Sequence, residues 1–345
     1  MLINSKNDII GNFTPYNKKD IISFLSAEYD IKAQELNIFN NAMDNTVIDI
    51  DERYILKIYE TKTFPFIKSS LNNYQKFKEY YCIDLINGKN GSDICFFNSK
   101  PTVLYKKVSG CFQNDLPALI SHISKFHKAG RSSFRQLDLE KTILEIAQQI
   151  DFYFNDKVYK ELEKRNRLTI YKNLIAGLSK IKLKPQNVPL SHGFIHGDCS
   201  PDNLIKRRYD VSFLDFDSIK TDFQLFDLTD LLLKYSDEPK QDEELKIIQE
   251  YIKITGFYKS SELMCLYNML NVISCYRGLL MALSTEYYCF EKRKFSAEVM
   301  DTFFLKKVLL LANNAKCRLK ELKKCQEKSQ EHTVESMATL KTMTV

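Results

Sequence analysis

Residues 196–217 read HGDCSPDNLIKRRYDVSFLDFD. A His-x-Asp is followed, five residues after the Asp, by an Asn, and a later apolar run ends in Asp-Phe-Asp. The basic, polar residues between the two short apolar runs predict a turn, so the runs should form a hairpin that returns Asp215 to Asn203. Four polar side chains lie around this hairpin, those of Asp198, Asn203, Asp215 and Asp217. They indicate either a solvated turn or a site that binds a metal ion and charged groups.

Length and composition restrict the classes of protein to consider. The chain has 345 residues, of which 44% are hydrophobic, and this is enough for one large domain or two lobes. The net charge of +6 is spread along the chain, so no nucleic-acid partner is expected. The nine cysteines form no Cys-x-x-Cys pair, and the N-terminus has no signal-peptide pattern. A cytoplasmic protein with free thiols is therefore expected.

The most apolar stretch, residues 263–283, is long enough to span a bilayer. It contains Arg277, Asn268 and Asn271, however, and an arginine at membrane depth is costly. We therefore expect a buried helix of a helical lobe and no stable membrane insertion.

The first 108 residues read as a small antiparallel sheet with helices. Residues 18–29 have apolar residues at helical spacing, and residues 35–59 alternate three strand-like runs with turn residues, which predicts a meander. Residues 69–86 are predicted to form a helix. DICFF and TVLYKKV are predicted to form a further strand pair joined by the turn NSKP.

The rest of the chain, from residue 109, reads as mainly helical. One helix is predicted over residues 116–130 and at least two more over residues 138–181, and helices are expected again from residue 227 to about residue 328. Strand-like runs are expected in this part only around the 196–217 stretch. Residues 329–345 are polar without a strong period, which predicts a disordered tail.

The side chains that the hairpin brings together are of the kinds that phosphoryl transfer requires. The reaction needs metal ions on the phosphates, a cation at the phosphate oxygens and a carboxylate that orients the acceptor hydroxyl. Mg²⁺ prefers hard oxygen ligands and takes only a few from protein. Asp198 would face the hydroxyl and Asn203 and Asp215 would hold the metal, with Asp217 either behind these ligands or on a second metal ion.

This pattern, together with Phe226-Asp227-Leu228 further on, resembles the catalytic segment of the aminoglycoside phosphotransferase and choline kinase superfamily. Spore-coat-type and homoserine-kinase-type members are similar too. The resemblance implies an α+β, bilobal, protein-kinase-like fold. Its small antiparallel-sheet nucleotide-binding lobe would comprise residues 1–108, and its larger helical catalytic and acceptor lobe would comprise residues 109–328.

The resemblance also implies roles for individual residues. Asp198 looks like the catalytic base, and Asn203 and Asp215 look like the Mg²⁺ ligands. His196 would pack the catalytic loop. Asp227 would bond to the backbone of that loop, or would be an ordinary carboxylate at a helix N-terminus.

For the nucleotide, ATP or GTP, the resemblance points to Lys57 in YILKIY as the lysine for the α- and β-phosphates. Its ion-pair partner would be Glu79, with Gln75 as the alternative. The adenine would lie against backbone groups of the segment from Tyr105 to Val108. Residues 40–45, NNAMDN, would cover the phosphates although they contain no glycine.

Two departures from protein kinases favour a small-molecule kinase. Ser200 stands where Ser/Thr protein kinases carry lysine, and only eleven residues separate Asp215 from Asp227, too few for a usual activation segment. A non-catalytic scaffold of the spore-coat type and a protein kinase remain as alternatives.

The hydroxyl acceptor is left open between an aminoglycoside, another amino-containing antibiotic, choline, homoserine and a sugar, and the oligomeric state is also open. Glu286 and Glu291 could attract an amine, and Arg277 could bind a carboxylate. Each of the three could equally be an ordinary salt-bridge or surface residue.

Overall fold

The computed structural model describes residues 8–10, 15–39, 45–112, 115–180, 189–207, 210–235, 240–292 and 313–320. The chain divides into two compact units, Met1–His122 with His196–Lys220, and Ile123–Ile195 with Thr221–Val345. The 196–217 stretch belongs to the first unit. The lobe boundary at residue 108 stays a prediction. The tail and residues 40–44 of the expected phosphate-covering loop lie outside the described residues.

The described strands are, in chain order, β1 (Asp8–Ile10), β2 (Pro15–Asn17), β3 (Leu36–Ile38), β4 (Asn45–Ile50), β5 (Tyr54–Tyr59), β6 (Leu85–Ile86), β7 (Cys95–Phe97), β8 (Lys100–Lys106), β9 (Cys111–Phe112), β10 (Arg131–Arg135), β11 (Leu190–Ile195), β12 (Leu204–Arg207), β13 (Asp210–Phe213) and β14 (Lys220–Phe223). The described helices are α1 (Lys18–Tyr29), α2 (Phe64–Lys76), α3 (Leu116–Gly130), α4 (Leu139–Tyr153), α5 (Asp156–Lys164), α6 (Leu168–Leu178), α7 (Leu225–Tyr235), α8 (Gln241–Thr255), α9 (Leu263–Lys292) and α10 (residues 313–320).

A six-stranded sheet dominates the described part of the first unit. Its strand order is β3-β4-β5-β8-β6, with β7 paired to β8, and these strands pair antiparallel. The predicted meander and the predicted β7–β8 pair are therefore confirmed. Asn98 and Ser99 join β7 to β8 with φ angles of 48° and 63°, the left-handed geometry of a tight hairpin turn.

The core of the first unit lies between this sheet and α1. Ile21 and Leu25 of α1 and Ile48 and Leu56 of the sheet are fully buried in one apolar cluster. Asn17 caps α1 by accepting a hydrogen bond from the backbone of Lys19 at 2.8 Å. The amphipathic pattern that predicted this helix from sequence is therefore the pattern that builds the core.

The helix predicted over residues 69–86 has different bounds in the structure. α2 begins at Phe64. Pro65 lies in its first turn, where proline is well tolerated because no backbone N–H donor is needed there. It ends at Lys76 and is followed by a short 3₁₀ turn, Lys78–Tyr80. Leu85 and Ile86 pair with β8 instead of continuing a helix. The prediction was wrong there because sheet pairing overrode the local helical spacing.

The second unit is mainly helical where it is described. α9 packs against α4, α5, α7 and α8, and its residues Leu266, Leu270 and Ile273 are buried. The predicted buried helix is thus confirmed. No helix in the described ranges has the length and apolarity needed to cross a membrane.

A small sheet, β10-β11-β14, completes the described part of this unit. The expectation of strands only around the 196–217 stretch was wrong, because β9 was missed, and so were β10 and β14. Their sequences, RSSFR and KTDF, are polar and mostly exposed. They therefore carry none of the apolar alternation by which a half-buried strand is recognised.

Candidate active site

The predicted hairpin is present in the first unit. β12 and β13 pair antiparallel with Leu204 opposite Phe213, and the backbone N–H of Leu214 donates to the carbonyl of Asn203 at 2.9 Å. Asp215 therefore follows directly after the residue that is bonded to Asn203. β12 also pairs with β9, so the hairpin is the centre and one edge of a three-stranded sheet in the described residues.

The turn before the hairpin depends on a glycine. Gly197 has a φ of 80°, and a Cβ built on it would lie 2.2 Å from the carbonyl oxygen of Ser218. Any side chain there would meet backbone and would also require a left-handed conformation. The close passage of this turn against Ser218 therefore requires the glycine of His-Gly-Asp.

Asn203 holds Asp198 in place. The Asn203 side-chain amide donates to the Asp198 carbonyl and to its Oδ2 atom, both at 2.9 Å. The backbone N–H of Asn203 donates to the carbonyl of Ser200 at 2.9 Å, and Ser200 is itself buried. The amide nitrogen of Asn203 thus serves Asp198, and its amide oxygen is the side-chain atom of Asn203 that could accept a cation.

His196 is fully buried beneath this loop. Its ring centroid lies 4.5 Å from that of Phe213 and 5.9 Å from that of Tyr81, to which it is nearly parallel. The backbone N–H of Asp198 donates to its Nδ1 atom at 3.3 Å. The imidazole therefore supports the loop by packing and through one ring nitrogen.

Lys57 on β5 lies between two carboxylates. Its Nζ atom is 2.8 Å from Oδ2 of Asp215 and 2.7 Å from Oδ2 of Asp217. The two carboxylates differ in exposure, since the side chain of Asp215 is 33% exposed and that of Asp217 only 3%. Asp215 is thus open to a ligand, whereas Asp217 is enclosed by protein.

Burial and charge set the protonation of this cluster. Burial and the neighbouring Asp217 raise the pKa of Asp215, which Lys57 opposes. Burial alone would also raise the pKa of Asp217, but Lys57 and Lys62 bring it down to about 2. Burial would lower the pKa of Lys57, and the two carboxylates outweigh it and raise that pKa. Lys57 and Asp217 therefore form an ionised pair at neutral pH.

Glu79 and Gln75 do not reach Lys57. Both are exposed, and Glu79 lies in the 3₁₀ turn that follows the early end of α2. Among the described residues, the ion-pair partners of Lys57 are Asp215 and Asp217. Glu79 was expected on a helix that ends before it, whereas Gln75 lies within α2 and is exposed.

Sequence reasoning missed the groups around Asp217. Tyr59 donates its hydroxyl to Oδ1 of Asp217 at 2.7 Å, and Asn45 and Lys62 donate to Oδ2 at 3.2 and 3.3 Å. A signal for Tyr59 was available, because it lies two residues after Lys57 and so on the same face of β5. Asn45 lies directly opposite Tyr59 in the β4–β5 register.

The predicted adenine-binding segment begins on the strand next to Lys57. Val103 of β8 pairs with Lys57, so Tyr105, two residues on, faces the same side of the sheet. Burial raises the pKa of Tyr105, an effect that Lys57 opposes and Asp215 reinforces, and its hydroxyl stays neutral. Val108 follows the end of β8 and is partly buried.

Asp227 belongs to the second unit, in the first turn of α7. It is fully buried, and its Oδ2 atom lies 3.1 Å from Nε2 of His127. The other ring nitrogen of His127 lies 2.9 Å from the hydroxyl of Tyr251. The expected bond from Asp227 to the backbone of the loop at residues 196–203 stays a prediction.

The acceptor candidates are engaged in ion pairs of the second unit. Arg277 binds both carboxylate oxygens of Asp230 at 2.8 and 2.6 Å, and Glu286 is buried against Arg167 at 3.2 Å. The salt-bridge alternative therefore holds for both residues. The side chain of Glu291 lies outside the described residues.

A magnesium site must be assembled from few protein ligands. In the described part of the chain, no group of three or more His, Cys, Asp or Glu side chains is arranged to hold a metal ion. Mg²⁺ in kinase sites uses one or two carboxylates plus substrate phosphates. The amide oxygen of Asn203 and the partly exposed carboxylate of Asp215 suit an ion that arrives with a nucleotide.

The antiparallel sheet, the β12–β13 hairpin and the lysine on β5 are arranged as in a protein-kinase-like fold. Residues 37–257 match the model of a family described as the phosphotransferase enzyme family, and the chain belongs to that family. No curated protein sequence matches the chain significantly.

Solved structures of small-molecule kinases share the fold over most of the chain. A spectinomycin phosphotransferase in complex with ADP and spectinomycin has a TM-score of 0.59 at 11% identity, covering 88% of this chain and 98% of that one. A microcompartment-associated aminopropanol kinase has a TM-score of 0.58 at 14% identity, covering 88% and 97%. An amicoumacin kinase in complex with AMP-PNP and Ca²⁺ has a TM-score of 0.56 at 15% identity, covering 86% and 94%. At these identities the likeness establishes the fold.

Proposed function

We propose that the protein is an ATP- and Mg²⁺-dependent kinase that transfers the γ-phosphoryl group to a hydroxyl of a small molecule, an amino-containing antibiotic or metabolite. The observation that carries the proposal is the convergence of Asp198, Asn203, Asp215 and Lys57 at one hairpin and one strand of the first unit. Family membership and the small-molecule kinases that share the fold support the same reaction class.

Asp198 acts on the acceptor in this proposal. Its carboxylate is only partly buried, and the bond from the Asn203 amide to Oδ2 fixes its orientation. A positioned carboxylate orients the acceptor hydroxyl and takes its proton as the new O–P bond forms. The bond between the γ-phosphorus and the bridging oxygen breaks at the same time, and ADP leaves with that oxygen.

Lys57, Asn203 and Asp215 act on the nucleotide. The ammonium of Lys57 is held at the site by carboxylates and can bind phosphate oxygens. Asn203 and Asp215 would hold Mg²⁺, which when bound neutralises charge on the phosphates. The backbone near Tyr105 and Val108 would bind the adenine.

The test is an acceptor panel with release of ADP as the readout. Aminoglycosides, other amino-containing antibiotics, choline, homoserine, amino alcohols and sugars are supplied with Mg-ATP. With an active acceptor, Asp198→Ala should lower kcat by roughly 10²- to 10⁴-fold, the usual contribution of a positioned general base. Binding of Mg-ATP should be kept, because Asp198 faces the acceptor.

A matched control lies in the same turn. Asp202 is exposed in the 3₁₀ turn Pro201–Asn203, so Asp202→Ala removes a carboxylate of the same loop without touching Asp198. It should keep nearly full activity. Full activity in Asp198→Ala would refute the assignment of the base. A wild-type protein that binds no Mg-ATP would instead favour a non-catalytic scaffold.

A further inference from the structure

Five contacts from the elements before the catalytic hairpin converge on one residue, Asp217. Its carboxylate receives hydrogen bonds or ion pairs from Lys57 and Tyr59 on β5, from Asn45 at the start of β4 and from Lys62 between β5 and α2. Ser70 of α2 donates to its backbone carbonyl at 3.0 Å. All of these residues belong to the first unit.

These contacts make Asp217 unsuited to hold a second metal ion. Oδ2 already faces Lys57, Lys62 and Asn45, and Oδ1 accepts from Tyr59. With a side-chain exposure of 3%, the carboxylate offers almost no surface to solvent. A carboxylate oxygen has about two lone-pair sites, so Oδ2 is saturated by protein donors and Oδ1 already accepts one bond. What remains for it is to hold cations of the chain itself.

α2 cannot supply the carboxylate that would hold Lys57. Its sequence, FPFIKSSLNNYQK, has no acidic residue, and Glu79 beyond it is exposed. Asp215 contacts Lys57 but is partly exposed and is the carboxylate assigned to the metal. Asp217 is the partner that stays with Lys57 when Asp215 has another ligand.

We propose that Asp217 is the positioning residue for Lys57: it fixes the lysine ammonium toward the nucleotide phosphates, the part that a carboxylate on the following helix would otherwise play. This inference rests on the proposed function. Tyr59, Asn45 and Lys62 lock the carboxylate, and the bond from Ser70 ties α2 to the same point. The position of Lys57 is thus set by the segment that carries Asp215.

The experiment measures affinity for a fluorescent ATP analogue with Mg²⁺ in Asp217→Asn, Lys57→Met and the double variant. Asp217→Asn should weaken binding about tenfold, as expected for loss of a hydrogen-bonded charge partner. The double variant should bind no more weakly than Lys57→Met alone, because Asp217 acts through Lys57. With an active acceptor, the KM for ATP should rise while the KM for the acceptor stays unchanged.

Two results would overturn the proposal. One is wild-type affinity in Asp217→Asn. The other is a loss in the double variant equal to the sum of the two single losses, which indicates general structural support. If Asp217→Asn does not fold, Tyr59→Phe decides, since it removes one donor and keeps the ring. It should raise the KM for ATP about two- to fivefold, and an unchanged KM for ATP would refute the proposal.

The outcome also separates this inference from the proposed function. A wild-type protein that does not bind Mg-ATP refutes the proposed function. A wild-type protein that binds Mg-ATP while Asp217→Asn and Tyr59→Phe bind equally well refutes only the role of Asp217.

Discussion

The two units each contain a buried ionic cluster, and the clusters are built differently. In the first unit, Lys57 lies between Asp215 and Asp217, and the Asp215 side chain is 33% exposed. In the second unit, Arg318 of α10 forms a two-point ion pair with Glu244 of α8, and these side chains are 1% and 5% exposed. The first cluster is open on one side, whereas the second is closed.

The closed cluster has protein partners for each charged group. Arg318 also donates to the side-chain oxygens of Asn314 and Asn271. These bonds connect α10 with α8 and α9, so the helix is tied to the body of its unit. Burial raises the pKa of Glu244, and the attraction of Arg318 opposes this shift.

The difference teaches what each cluster is suited to do. In the open cluster, Lys57 has two carboxylates, so one of them can change partner while the other keeps the lysine paired. In the closed cluster, removal of one partner leaves a buried charge without compensation, and this is the costly case for a buried ion pair. The first arrangement suits ligand exchange, and the second suits stability.

The largest expected effect is on stability in the closed cluster. Glu244→Gln leaves the Arg318 guanidinium charged and buried, since arginine does not lose its proton, and should lower the free energy of unfolding by about 3–5 kcal/mol. Denaturant titration measures this. The adjacent Glu243 forms an exposed pair with Lys240, so Glu243→Gln should cost less than about 1 kcal/mol. Equal losses in the two variants would contradict the distinction between closed and exposed pairs.

The next largest expected effect is on activity, in the open cluster, where stability should change little. Asp215→Asn should change the free energy of unfolding by less than about 1.5 kcal/mol, because Lys57 still has Asp217 as its ion-pair partner. The raised pKa of Asp215 supports this small change in stability. It shows that the ionised form of the side chain is disfavoured in the folded protein, and a neutral amide avoids that cost. Turnover of Mg-ATP with an active acceptor should nevertheless fall by about 100-fold or more. Parallel loss of stability and activity would show that this cluster too is mainly structural.

The smallest expected effect is on the reactivity of a buried cysteine. Cys275 is fully buried beside the closed cluster, and burial raises its pKa to about 12. Because the thiolate is the reactive form, its thiol should resist alkylation up to pH 9 in the native protein, whereas the partly exposed Cys265 should react first. Mass spectrometry of alkylated peptides measures both. In Glu244→Gln the alkylation of Cys275 should accelerate, and rapid labelling of wild-type Cys275 would show that the cluster is open.

Much of the first unit was predictable because its signals are local. The meander β3–β5 and the β7–β8 pair are recognisable from alternating apolar runs and turn residues. The β12–β13 hairpin follows from a polar turn between two apolar runs, and it brings Asp215 back toward Asn203. The roles of these residues in catalysis stay predictions that the proposed experiments test.

The predictions that failed involve contacts between distant parts of the chain. Glu79 was expected at Lys57 from a helix that in fact ends at Lys76, and Leu85 and Ile86, expected in the same helix, pair with β8 instead. β10 and β14 were missed because polar, exposed strands have no apolar alternation. In each case the backbone follows pairing with a remote strand, which local spacing does not record.

The sequence by itself determined the β12–β13 hairpin and the strand that carries Lys57, because each depends on residues close together in the chain. Only the tertiary structure decided that Asp217 is enclosed and that Asp215 is partly exposed. It also decided that Arg277 and Glu286 are occupied by Asp230 and Arg167. The physical reason is that burial and ion pairing depend on groups up to 172 residues apart, as for Asn45 and Asp217.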